Sequence, residues 1–334
     1  MSKPKLRDAD FLYVTSTLWA KEANMLTPEK ANRMIDAGSF EDAAKLAEEC
    51  GYRDMSGMDV FEVDAALSEH RTAIFEELAT KADARPIVDL FRMKFDYHNV
   101  KVLVKSMGAN VDATRILSQS GRINVKVLTE AFNSGARGDL PPAVRTAIND
   151  GISILSRTKD PQLSDVSIDR AYFGELSTLS SELGREFISG YISLLIDIAN
   201  LRTFVRSIRT HRNTDFLQAS LLSGGNADVS AVLNLLPAGE GLSNVFITPE
   251  LEAAVSLAKT AMQGGAQLSF ERACDDAPMR YLVKKRYASF GPAVVITYLA
   301  KLEWEITTLR MILTGKLTGI RPEIIRERLR DGYV

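Results

Sequence analysis

Apolar residues recur at spacings of three and four along almost the whole chain, the period of helices that bury one face. The pattern predicts helices over 8–24, 28–37, 40–50, 60–82, 85–107 and so on to 322–329. Thr27-Pro28 and Thr248-Pro249 place a capping hydroxyl before a proline at the first helical position, and Ser39-Phe40-Glu41-Asp42 resembles a capping box with Asp in place of Glu. Gly38, Gly51, Gly108, Gly224-Gly225, Gly264-Gly265 and Gly319 follow helical periodicity, where a left-handed C-cap would end a helix. Val245-Phe246-Ile247 is too short to anchor a sheet, and no succession of alternating strands stands out. The expected fold class is all-α.

One helical pattern is written three times: DYHNVK from Asp96, DIANLR from Asp197 and EITTLR from Glu305. An acid leads each copy (Asp96, Asp197, Glu305). A hydrogen-bonding side chain follows at +3 (Asn99, Asn200, Thr308) and a base at +5 (Lys101, Arg202, Arg310). The apolar columns agree as well: Tyr97, Ile198 and Ile306, then Val100, Leu201 and Leu309, then Val104, Val205 and Leu313. The copies begin roughly a hundred residues apart, the length of a small helical domain rather than of a solenoid repeat. With breaks near 108–112 and 210–215, the chain reads as three related lobes, 1–110, 111–213 and 214–334. On a helical wheel the leading acid falls within the apolar stripe. A buried carboxylate is costly unless paired or hydrogen-bonded, so each lobe should supply it a partner and use it as a polar lock on helix register.

Composition narrows the function. With 334 residues, 46% hydrophobic and 25% charged, the chain can build large cores, and a formal net charge of −2 gives no bulk attraction to nucleic acid. Cys50 and Cys274 are the only cysteines, so neither a disulfide framework nor a cysteine zinc site is implied. The amino terminus lacks the apolar run of a signal peptide. The longest apolar stretches, 188–201 and 293–302, are short for a bilayer span or interrupted by Asp197 and Asn200, so membrane contact is expected only through a partner.

Catalytic and cofactor motifs are missing where they would be sought. Gly315-Lys316 runs into Leu317 without an upstream phosphate-loop glycine, and Gly239-Glu240-Gly241 is followed by Asn244 where a dinucleotide fingerprint needs glycine. The residues three before His70, His98 and His211 are Leu67, Phe95 and Ile208, which excludes helical di-iron pairs. Glu69, Glu76 and Glu77 with His70 read as a solvated helix face rather than as metal ligands. No catalytic residue, cofactor or metal is expected. Arg202, Arg206, Arg209 and Arg212 follow one another at spacings of four, three and three, a helix face that can receive an acidic partner or be solvated and internally paired.

Phe95-Asp96-Tyr97-His98-Asn99-Val100-Lys101-Val102-Leu103-Val104-Lys105 resembles the hallmark segment of the C subunits of prokaryotic V-type (A/V-type) rotary ATPases, relatives of the d subunit of the vacuolar proton pump. The runs from Ile196 to Arg202 and from Tyr298 to Ile312 are similar to that family's second- and third-lobe helices, although the family often carries Asn where this chain has Thr308. The resemblance implies three similar helical lobes arranged as a funnel, a non-catalytic, cytoplasmic central-stalk subunit without cofactor. It implies as partners the D- and F-type shaft subunits and the proteolipid rotor ring. A free-standing helical scaffold or adaptor unrelated to ion transport is the alternative from another class. An enzyme would need Asp96, Asp197 or Glu305 to converge on one cavity.

Overall fold

The structure, a computed structural model, describes residues 7–109, 111–236, 239–284 and 288–330. The described residues form helices joined by turns and contain no strand. The first four are α1 (Leu12–Glu22), α2 (Pro28–Asp36), α3 (Phe40–Glu48) and α4 (Val60–Ala79), with a short 3-10 turn before α1. There follow α5 (Arg85–Ala109), α6 (Val125–Ser134), α7 (Pro142–Thr158), α8 (Pro161–Leu183) and α9 (Glu186–Arg209). Four shorter helices come next, α10 (Thr214–Ser220), α11 (Val229–Leu233), α12 (Leu242–Val245) and α13 (Glu252–Met262). The chain closes with α14 (Gln267–Val283), α15 (Pro292–Leu317) and α16 (Pro322–Arg328).

Local chemistry sets several of these boundaries. The Thr27 hydroxyl accepts from the Lys30 N–H ahead of Pro28, and Ser39 accepts from the Asp42 N–H, so both starts are capped by their own side chains. Gly51 and Gly319 take the left-handed conformation that a helix end favours. Four expectations need correcting, the first being Gly38, which follows α2 without taking the left-handed conformation. Gly108 lies inside α5, which continues to Ala109. Thr248 makes no side-chain cap and precedes a 3-10 turn, Pro249–Leu251. Gly224 and Gly225 end no helix, because α10 stops at Ser220; they stand against α9, where a larger residue would meet Ile196 and Asp197.

The chain divides into two compact units. One is Asp89–Glu271, in which α8 packs between α7 and α9, and α9 also carries α13. The other combines the described parts of Pro4–Val88 and Arg272–Val334, so it is assembled from both ends of the chain around α15, against which α1, α2, α3 and α4 pack. The long helices α9 and α15 are the most apolar. Ile192, Leu194, Ile196, Leu201 and Phe204 are buried on α9, and Val295, Leu299, Leu302, Ile306, Leu309 and Ile312 on α15. Each such side chain contributes about 1.5–3 kcal/mol on leaving water. By length and composition α9 could cross a membrane, since flanking residues extend the apolar run, but most of its apolar window lies inside the protein.

Candidate functional site

The three repeated helices are α5, α9 and α15, and each leading acid is buried and held by a loop that opens another helix. Asp96 accepts from the Ile123 N–H at 3.0 Å and from Arg122 Nε at 2.7 Å. Asp197 accepts from the Ala227 N–H at 3.0 Å and from the backbone and side-chain N–H groups of Asn226 at 3.1 and 2.9 Å. Glu305 accepts from the Leu26 N–H at 2.6 Å and from the Tyr52 hydroxyl at 2.7 Å. The donors Ile123, Ala227 and Leu26 occupy equivalent places. Each immediately precedes the N-cap of the next helix, Asn124 of α6, Asp228 of α11 and Thr27 of α2. A buried carboxylate thus fixes the entry of the chain into a following helix three times over.

The +3 column builds a second latch twice. Asn99 donates to the Ser118 carbonyl at 2.8 Å and accepts from its N–H at 2.7 Å. Asn200 does the same with Leu222, at 2.8 Å in both directions. Ser118 and Leu222 stand five residues before the backbone donors Ile123 and Ala227. The equivalent residue before Leu26 is Lys21, which lies within α1, and its carbonyl already accepts from the Asn24 N–H. A helical residue has no free N–H and C=O pair to offer an amide, which explains why Thr308 can replace Asn in the third copy. The acids follow the same logic. A Cβ on Gly121 or Gly225 would run into the Asp96 or Asp197 carboxylate. In the third joint the corresponding residue is Asn24, and the acid is the longer Glu305.

The +5 bases tie each repeated helix to another long helix. Lys101 meets Asp169 of α8 at 2.7 Å, Arg202 meets Glu271 of α14 at 2.8 Å, and Arg310 meets Asp64 of α4 at 2.5 Å. Helices α8, α14 and α4 are those that precede α9, α15 and α5 in the chain. These pairs are partly exposed, so each is worth at most about 1 kcal/mol and serves order more than stability.

Electrostatics separates the joints. Burial raises the Asp96 carboxyl above the ordinary Asp range, and Arg122 acts against that rise. Arg122 itself is held firmly charged, since Glu175 and Asp96 outweigh its own burial. At Glu305 burial dominates over the Leu26 and Tyr52 hydrogen bonds and pushes the carboxyl up from 4.5 to about 6. An acid raised on folding favours the native state when protonated, so its contribution is complete below pH 4.5 and is lost as pH rises through about 6. Glu305→Gln carries no charge at any pH. Relative to wild type it should gain about 2 kcal/mol of stability between pH 4.5 and 7, the rise from 4.5 to about 6 taken at about 1.36 kcal/mol per pH unit. Urea unfolding of both proteins at the two pH values checks it, and an unchanged difference would place the titration elsewhere.

The arginine series divides. Arg202 turns to Glu271, whereas Arg206, Arg209 and Arg212 are exposed. Arg209 and Arg212 donate to the side-chain oxygens of Gln267 and Gln162, and Arg212 also lies over the Phe216 ring at 4.9 Å. Arg206 makes no ion pair among the described residues. Each of the three repeat acids keeps its own set of partners rather than sharing one. His98 is exposed and reaches the Ile116 carbonyl at 3.1 Å. No group of three potential metal ligands occurs among the described residues.

Sequence reasoning missed the loops. Arg122 bridges Asp96 to Glu175, which also receives the Tyr97 hydroxyl. The signal was present in Gly121-Arg122-Ile123-Asn124-Val125 and Gly225-Asn226-Ala227-Asp228-Val229, which align glycine, donor, cap and following valine. Its third copy, Asn24 to Pro28, lies at the opposite end of the chain from the helix it serves.

The ATP synthase (C/AC39) subunit family model matches residues 14–328. The chain is similar to the C subunit of the V-type sodium ATPase of Enterococcus hirae, 25% identical over 318 residues that cover 94% of this chain and 96% of the relative. It is similar to the C subunit of the A-type ATP synthase of Methanocaldococcus jannaschii, 22% identical with 96% of this chain and 86% of the relative covered. The C subunit of the V-type ATP synthase of Thermus thermophilus is 20% identical with 96% and 98% covered. With the match running through all three repeated helices and their loops, the chain belongs to the ATP synthase (C/AC39) subunit family and is a non-catalytic subunit of a V/A-type ATPase.

Proposed function

We propose that this protein is the central-stalk, rotor subunit of its ATPase, joining the D- and F-type shaft subunits to the proteolipid rotor ring and passing torque between them. The family match along nearly the whole chain carries the reading. The threefold recurrence of one buried joint supports the accompanying division into lobes 1–110, 111–213 and 214–334 and the funnel that the resemblance implies. Torque needs parts that do not yield. Helices locked at their entry by buried carboxylates and joined by short turns resist deformation better than tethered domains. In this reading the protein is cytoplasmic and touches the membrane only through the ring. The exposed Arg206 and Arg209 at the end of α9, with Arg212 in the turn beyond it rather than on the same helix face, receive acidic side chains of a partner.

Affinity capture of the tagged protein from detergent-solubilised membranes, followed by mass spectrometry, tests this. Recovery of a proteolipid together with shaft subunits is expected. Recovery of soluble proteins with no ATPase subunit would return the chain to the scaffold reading. Arg206→Glu should weaken that co-purification about tenfold and leave the unfolding midpoint within roughly 0.5 kcal/mol of wild type, as surface changes do. A variant that unfolds would make the arginine face internal and end the docking role.

A further inference from the structure

Helix α1 is apolar on two sides. Its inner side, with Val14, Thr15 and Leu18 buried, packs on α15. The exposed residues between 12 and 23 are Leu12, Tyr13, Ser16, Trp19, Ala20 and Ala23, which helical spacing gathers on one outer face, and none of them carries a charge. The two charged residues of the helix flank this face and turn away from it, Lys21 to Glu77 of α4 at 2.9 Å and Glu22 to Lys301 of α15. The Ser16 and Thr17 hydroxyls both donate back to the Tyr13 carbonyl, so the helix itself uses their protons.

An ordinary surface helix of the same unit looks different. Every exposed residue of α3, Glu41, Asp42, Lys45 and Glu48, is charged. On α1, Tyr13 is 69% exposed, Leu12 54% and Trp19 49%. Phe290, also exposed, precedes Gly291, which stands against Asp8 one turn before Leu12, and so adds a ring near the start of the same helix. A helix apolar on both sides is ordinarily covered on both. An exposed face that lacks charge and carries Trp, Tyr and Leu has the composition of an interface core, where charged residues are depleted and aromatic ones enriched.

We propose that this outer face of α1 docks on the proteolipid ring. The inference rests on the stalk reading, which offers two partners, shaft and ring, and the charge pattern chooses between them. A protein built into a bilayer shows few charges, since each is costly near hydrocarbon, and Trp and Tyr suit the boundary where an apolar body meets water. A face without charge leaves nothing unpaired against such a partner. A shaft turning in water presents a charged surface, which this face has no group to answer. A bare lipid surface fits less well than the ring, because an interfacial helix carries Lys or Arg along its polar flank, whereas Lys21, the one basic residue of α1, is committed to Glu77.

The chain carries its own probe. Trp19 and Trp304 are the only tryptophans, so Trp304→Phe makes Trp19 the sole tryptophan reporter in the full chain. Its fluorescence should shift to the blue on titration with the detergent-solubilised ring, relative to the same detergent alone. It should stay unchanged with purified shaft subunits, with protein-free vesicles of phosphatidylcholine and phosphatidylglycerol, and on concentrating the protein by itself. In the otherwise natural chain, Trp19→Glu and Ala20→Glu change two exposed positions and should keep the wild-type circular dichroism. Each should weaken ring binding about tenfold, the cost of spoiling one interface anchor, equally at low and high salt, with shaft binding as in wild type. An equal shift with shaft subunits, with vesicles or with a second copy would overturn the assignment to the ring. Full ring binding by both variants would overturn it too and leave the stalk reading standing, since the protein would then join the ring by another surface. Failure of the wild type to bind the ring at all would overturn both.

Discussion

Asp197→Ala is expected to lower the unfolding free energy by about 3–5 kcal/mol, because three N–H donors lose their acceptor together at a fully buried site. The Ala227 amide and both Asn226 nitrogens point at the carboxylate, and leaving each without a partner costs about 1–3 kcal/mol, less at the exposed Asn226, which water reaches. A cavity adds to this. The loss should be felt in α11 as well as in α9, since the carboxylate holds the residue before the Asp228 cap. Urea unfolding measured by circular dichroism reads the total. Hydrogen exchange at Leu222 separates the neighbouring amide latch, which should weaken but persist. A cost below about 1 kcal/mol would mean that the loop finds other acceptors and that the acid does not fix the helix entry.

The contrast between Asp197 and its partners shows what the sequence could disclose. A carboxylate inside an apolar stripe is visible in one helix, because the period of 3.6 residues assigns it to the buried face. The helix content was legible for the same reason. The loops were not, since Gly121 and Gly225 read as ordinary punctuation until the carboxylate that excludes their Cβ is placed beside them. The third joint was harder still. Leu26 and Tyr52 lie more than 250 residues from Glu305, and no pattern read along the chain joins its two ends. Nor does the arginine spacing reveal that Arg202 turns inward to Glu271 while Arg206 stays exposed. Helical periodicity gives the face of a residue; the partner on that face depends on tertiary contact.

Arg122→Met tests the one joint built on a buried charge pair, and it should cost about 3–5 kcal/mol at pH 7. The Asp96 side chain is fully buried and that of Arg122 only 18% exposed, so removing the cation leaves the carboxylate with backbone N–H donors alone, that of Ile123 among them, and Glu175 without its bidentate partner. Methionine keeps most of the volume, so the loss isolates charge rather than packing. The pH dependence supplies the decisive sign. Burial already raises the folded Asp96 carboxyl above its ordinary range, and Arg122 restrains the rise. Without that restraint the folded carboxyl rises further. An acid raised on folding contributes stability below its unfolded pKa and loses it as pH increases. The deficit of the variant should therefore shrink as the solution is acidified from pH 7 to 5, because without the cation Asp96 takes up its proton more readily than in wild type. Urea titrations of both proteins at the two pH values measure this directly. A deficit that stays constant would assign the cost to lost packing, and would mean that Arg122 orders the joint by shape rather than by neutralising its acid.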